Sequence, residues 1–154
     1  MPYLVLVLVV ALDQLTKYLA QAYLAPVETL PLIDGALHLT YSTNTGAAWG
    51  ILKDAPWVFM VVSSLAILAI LTYLIVSKNK FYGAAISLSL VCGGGIGNMI
   101  DRVFRGEVID FIDFRLISFP VFNFADSCVC VGTFLFVIFY LVDEWKKQKQ
   151  KAGL

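Results

Sequence analysis

Apolar residues along this chain gather into four long stretches, at about 3–24, 57–76, 82–101 and 121–142, separated by shorter polar segments. Crossing about 30 Å of hydrocarbon takes about 20 residues at 1.5 Å per residue, so each stretch is long enough for a transmembrane helix. The second is uninterrupted, whereas the other three qualify only if the polar residues inside them face protein or water. Between the first two stretches lies a segment of about thirty residues, 25–56, with Pro26, Pro31, Gly35, Gly46 and Gly50, too long to be a mere turn. Within it Leu37, Leu39 and Tyr41 alternate with polar or small neighbours, which predicts a short strand on the membrane surface with one apolar face. Neither a low-complexity segment nor a convincing internal repeat is visible.

Composition strengthens this reading. With 60% hydrophobic and 14% charged residues and a mean hydropathy of +0.83, the chain lies outside the range of soluble globular domains. Formal net charge is zero, and no basic stripe interleaved with aromatics occurs outside the short C-terminal tail, so nucleic acid is excluded as a partner. The N-terminal stretch resembles a signal peptide, with Ala20-Gln21-Ala22 as a cleavage-like site. It lacks a basic leader, however, and Asp13 and Lys17 interrupt it, so it is expected to remain as the first helix.

The lysines set the topology. Lys78, Lys80 and the tail lysines Lys146, Lys147, Lys149 and Lys151 place the second loop and the C-terminus in the cytoplasm. Four spans then put the N-terminus inside as well, and segments 25–56 and 102–120 outside. Arg102, Arg105 and Arg115 oppose this count, but Glu107, Asp110 and Asp113 lie among them. Trp57 and Trp145 fall at opposite interfaces.

Several side chains exclude chemistries. Cys92, Cys128 and Cys130 sit in apolar runs, and the Cys-x-Cys pair points to opposite sides of a helix, which reads as small buried residues without metal-ligand spacing. A single histidine, His38, in a polar loop, excludes a two-histidine zinc motif. No metal and no cofactor is expected.

The informative residues are polar ones inside the spans, where each ionisable group costs on the order of 2.5 to 3.5 kcal/mol at helix centre. Asp13 and Lys17 are four apart on one helix face, where they can form a buried ion pair or serve catalysis directly. Asn98 and Asp101, and likewise Asn123 and Asp126, give the same Asn-x-x-Asp face on the third and fourth spans. With the loop residue Asp110 they collect three carboxylates and two amides near the outer leaflet, either as helix glue or as a site. Gly93-Gly94-Gly95-Ile96-Gly97 lets backbones approach closely, or leaves room beside Asp101 for an extended substrate. The run from Asn44 through Gly46 to Trp49 and Gly50 reads as a turn or as a lid over the helix ends. Arg102 is expected to pair with Asp101, the alternative being a lipid phosphate.

Five ordered motifs carry a resemblance: Asp13-Gln14-x-Thr16-Lys17, Asn44-x-Gly46-Ala47-Ala48-Trp49-Gly50, Gly93-Gly94-x-x-Gly97-Asn98-x-x-Asp101-Arg102, Val108-x-Asp110-Phe111 and Phe122-Asn123-x-Ala125-Asp126. Over nearly its full length the chain resembles the bacterial lipoprotein signal peptidases, or signal peptidase II. The resemblance implies an aspartic protease in the bacterial cell membrane that removes the signal peptide of a prolipoprotein once its lipobox cysteine carries a diacylglyceryl group. It assigns Asp110 and Asp126 as the catalytic dyad. Asp13, Lys17, Asn44, Gly46, Asn98, Asp101, Arg102 and Asn123 then bind substrate or support the dyad. The expected fold is an all-α membrane protein, one domain over 1–154, with four transmembrane helices, a small extracytoplasmic β-sheet and an outer-loop helix. The expected partners are lipidated prolipoproteins and membrane lipids, with the enzyme a monomer. Gly95 stands where many members carry alanine, and the connection from Asp110 to Asp126 is short.

Two carboxylates close together in a low-dielectric site cannot both ionise cheaply, so they share a proton and titrate as a unit. The ionised member takes a proton from attacking water while the protonated one donates to the developing oxyanion. Which aspartate holds the proton is left open by the sequence. A cation transporter would also bury carboxylates and amides, but four spans are few and no broken-helix pair appears. An inert assembly subunit would not need the outer carboxylate cluster.

Overall fold

The computed structural model describes residues 1–46, 56–77, 82–117 and 119–151. Helix α1 covers Pro2–Leu19, with proline where the first turn tolerates it, and continues as a π-helical turn over Ala20–Leu24. Helix α2 covers Pro56–Val76, α3 Tyr82–Phe104 and α4 Phe124–Lys151. All four are long and apolar enough to cross a membrane. Strands β1 (Thr29–Ile33), β2 (Leu37–Asn44) and β3 (Val108–Phe114) form an antiparallel sheet in that order. The alternation at Leu37, Leu39 and Tyr41 therefore does mark a strand, while β1 and β3 occupy segments read from the sequence as loop.

Helix α3 is the hub, packed against each of the other three. Lipid tails are as apolar as leucine, so contact between helices depends on small residues and polar links. A Cβ on Gly93 would lie 2.8 Å from Val9 Cβ, one on Gly94 would collide with the Ala125 carbonyl, and one on Gly97 with the Asp13 carboxylate. These glycines let α1 and α4 approach α3, which is the packing alternative of the two raised by the motif. Gly132 does the same from α4, where a Cβ would come within 2.7 Å of the Ser87 carbonyl.

The sheet is joined to the bundle by a small apolar core. Ala20 and Leu24 from the π-helical turn meet Ile109 and Phe111 of β3, with Leu39, Tyr41, Ile112 and Phe124 packed around them. Positive φ at Gly35 (67°) closes the β1–β2 hairpin, and at Gly106 (81°) it turns the chain from α3 into β3. A bulge in β2 between Leu39 and Ser42 brings Ser42 opposite Asp110.

Three boundaries differ from the hydropathy reading by more than a residue, the largest being the end of α4, which runs on to Lys151 rather than stopping near 142. Helix α3 continues to Phe104, and α4 starts at Phe124 rather than near 121 because Phe122 is held in a bridge with Ile112. The outer-loop helix is not seen in 25–46, which forms strands and turns, and 47–55 lie outside the described residues.

Candidate active site

Asp110 lies on β3, 3% exposed, and Asp126 lies in the first turn of α4. Asn123 joins them. Its side-chain Nδ2 donates to Asp110 Oδ1 at 2.7 Å, its Oδ1 accepts the Asp126 N–H at 2.9 Å, and its own N–H donates to Asp126 Oδ2 at 3.3 Å. The last two bonds form a capping box at the start of α4. The Asn-x-x-Asp spacing thus means different things in its two copies. Asn98 and Asp101 lie within α3, whereas Asn123 stands just before α4 as its cap, and this corrects the expectation of a matching helix face on both spans. An Asn followed three residues later by an acid, ahead of an apolar run, is itself the sequence signal for such a cap.

Asn98 completes the link. Its Nδ2 donates to Asp126 Oδ1 at 2.7 Å, and its Oδ1 accepts Asn123 Nδ2 at 3.1 Å and Lys17 Nζ at 2.8 Å. Lys17 is fully buried and lies 2.9 Å from both Asp13 and Asp101. Asp13 and Lys17 thus form the buried ion pair that their spacing allowed. Asp13 also reaches α4, accepting the Ala125 N–H at 3.1 Å. Asp101 is further paired with Arg105, four residues on, and receives Gln14 Nε2 at 3.2 Å. Sequence reasoning missed Arg105, although its i,i+4 spacing from Asp101 is the ordinary signal for a helix ion pair.

Arg102 does not pair with Asp101, contrary to expectation, because the next position around the helix points it elsewhere. Its guanidinium donates to the Asn98 and Gly46 carbonyls at 3.2 and 3.1 Å and stacks 4.5 Å above the Phe59 ring. It therefore ties α3 to α2 and to the outer loop, where Asn44 Oδ1 holds the Gly46 N–H at 2.9 Å. Of the turn or lid expected over 44–50, Asn44 ends β2 and 45–46 bend the chain, while 47–50, with Trp49, lie outside the described residues.

Burial is the main cause that pushes the Asp110 carboxyl up to about 7, and the nearby Asp126 carboxylate adds to it. Hydrogen bonds from Asn123 and Asn44 pull in the opposite direction. Asp113, an odd number of residues along β3, faces the other side of the sheet. There Arg115 Nε lies at 2.7 Å and the Thr40 hydroxyl donates at 2.8 Å. Desolvation is the largest single influence and raises the Asp113 carboxyl, but the Arg115 and Thr40 bonds and the Arg115 charge together outweigh it and hold the group below its ordinary value.

Other expectations change. His38 lies in β2 rather than a loop, 6% exposed, and neither ring nitrogen has a hydrogen-bond partner among the described residues. Cys92 and Cys128 are buried as expected, but Cys130 is exposed on the outer surface of α4. Among the described residues no group of three or more His, Cys, Asp or Glu side chains is arranged to hold a metal.

A cavity of about 200 Å³ opens between α2, α3 and α4 beside Asp126, Asn98 and Arg102. A larger hollow of about 800 Å³, walled by Tyr73, Phe136, Phe139 and Tyr140, reaches Asp143 and Lys147 and touches neither Asp110 nor Asp126. The smaller cavity is the relevant one, since convergent polar groups meet an apolar wall there.

The sequence matches the family described as signal peptidase (SPase) II over residues 5–142. It is 40% identical to the lipoprotein signal peptidase of Halalkalibacterium halodurans over 151 residues, 97% of each chain. It is also 40% identical to that of Bacillus subtilis over 153 residues, covering 97% of this chain and 98% of the other. A bacterial membrane enzyme solved by the in meso method superposes with a TM-score of 0.84 at 35% identity, over 95% of this chain and 90% of that one.

Proposed function

Because this chain belongs to the signal peptidase II family and is a lipoprotein signal peptidase, we propose that it cleaves signal peptides from prolipoproteins by aspartic catalysis, with Asp110 and Asp126 as the dyad. The observation that carries this reading is Asn123, whose one side chain and N–H reach both carboxylates. Asp110, raised by burial, holds the shared proton and donates it to the developing oxyanion. Asp126 sits at a helix N-terminus that favours negative charge and acts as the general base toward water.

In this proposal Asn98, Asn123 and Asn44 orient the carboxylates, while Lys17, Asp13 and Asp101 fix Asn98. Arg102 and Gly46 hold the outer loop at the edge of the site. The substrate is a precursor whose lipobox cysteine already carries diacylglyceryl, cut immediately before that cysteine and entering sideways from the bilayer. The whole chain acts as one membrane domain and a monomer, with both termini cytoplasmic and the dyad near the outer face.

The test is direct. Purified protein in micelles is incubated with a diacylglyceryl-modified precursor, and a smaller product ending before the modified cysteine is expected. Equal cleavage of the unmodified precursor would remove the case for lipid recognition.

A further inference from the structure

Of the four glycines in 93–97, three are explained by close packing against Val9, the Ala125 carbonyl or the Asp13 carboxylate. Gly95 is not. Among the described residues a Cβ there would crowd Ile67 Cγ1 and Cδ1 of α2, at 3.2 and 3.3 Å, a side-chain contact relieved by a shift of a few tenths of an ångström rather than a clash with backbone or carboxylate. Glycine inside a helix costs stability relative to alanine, so its presence at this position calls for a reason other than backbone contact. Gly95 and Ile67 both line the cavity of about 200 Å³ whose lining also includes Asn98, Arg102 and Asp126. Val91 and Val129 make the adjoining wall apolar.

We propose that Gly95 is a specificity-determining residue: its missing side chain keeps open, beside Asp126, an apolar subsite for a saturated hydrocarbon group of the substrate, with Ile67 as the adjustable wall. The group is either an aliphatic side chain of the signal peptide next to the scissile bond or the first carbons of an acyl chain. This deepens the function proposed above and rests on Asp110 and Asp126 being the dyad. One methylene in an apolar pocket changes kcat/KM by about 10- to 200-fold, so a methyl group placed at 95 is enough to alter substrate choice.

Two lipopeptide series test it. In one, the residues before the cysteine change from Ala to Val to Leu with the lipid fixed. In the other, acyl length changes with the peptide fixed. Gly95→Ala is expected to lower the ratio of kcat/KM for the largest against the smallest group by about tenfold in one series, chiefly through KM. The series that responds identifies the occupant. Ile67→Ala, which leaves α3 untouched, should shift the same ratio toward larger groups and restore it when combined with Gly95→Ala. Thermal midpoints in micelles show that each variant is folded, and Ile67→Ala alone decides the matter if the glycine variants are not. Unchanged ratios in both series, with wild type active, overturn the subsite and leave the dyad standing. A wild type that cleaves no member of either series overturns the dyad reading, and the subsite with it.

Discussion

Lys17 Nζ donates to Asn98 Oδ1 at 2.8 Å, and this bond, with that from Asn123 Nδ2, sets which end of the Asn98 amide faces Asp126. With its oxygen held by an ammonium, the amide presents Nδ2 to the Asp126 carboxylate. A residue of the first helix thereby sets a hydrogen bond to the fourth without touching it.

Removing that ammonium should be costly. Lys17→Met leaves Asp13 without a cation and Asp101 with Arg105 alone, and breaking a buried ion pair by deleting one partner costs about 3 to 5 kcal/mol. The expected outcome is a large drop in thermal midpoint in micelles. The folded fraction should also turn over slowly, because Asn98 Oδ1 then keeps a single donor, Asn123 Nδ2, to hold the amide in place. Wild-type stability in Lys17→Met would mean that the network is not needed for folding.

The carboxylates themselves can be compared within one strand. Asp110→Asn and Asp126→Asn should each lower turnover by at least about 10²- to 10⁴-fold while still inserting and purifying. The double variant should be scarcely worse than either single one, since the two act as a unit. Asp113→Asn, on the opposite face of β3, should keep most activity. Turnover of the four proteins on one lipidated substrate checks the assignment, and an inactive Asp113→Asn beside an active Asp110→Asn would reverse it.

The raised Asp110 carboxyl has a consequence for stability. Its folded-state value of about 7 lies above the unfolded value of about 3.9, so between these limits the folded protein holds a proton that the unfolded chain has lost. Stability therefore falls as pH rises through this window, and the penalty is fully present above it. Asp110→Asn abolishes the effect. Melting curves should show this variant more stable than wild type at pH 8, by up to a few kcal/mol, and the difference should close toward pH 4.

Topology is separately testable. Reporter fusions at Leu154 and within 29–34 should report opposite sides of the membrane, with Leu154 cytoplasmic. Finding both on one side would contradict the four-span arrangement.

The helices were legible because their signal is a long local average: each apolar run needs no partner to be recognised. Lys17 and Asp13 were legible because a four-residue spacing fixes their contact. Strands β1 and β3 were not, since β3 is defined by pairing with residues some seventy positions away and its Asp110 and Asp113 read as loop polarity. Arg102 was misassigned because adjacency in sequence suggested a partner, whereas adjacent residues on a helix point about 100° apart. Asn123 was legible as a residue to name but not as a cap, because equal spacing concealed a helix start in one copy and a helix interior in the other.

The Asp13 carboxylate accepts the N–H of Ala125 across 112 residues of chain, so this bond can form only after the last helix has been made. A ribosome that has delivered the first three helices has delivered Asp13, Lys17, Asn98 and Asp101 but neither Asn123 nor Asp126. Those residues carry the Lys17 half of the polar network, and its partners at the start of α4 come last. With Asp110 and Asp126 as the proposed dyad, the site is complete only once the last helix has inserted and its first turn has docked against residues synthesised at the start.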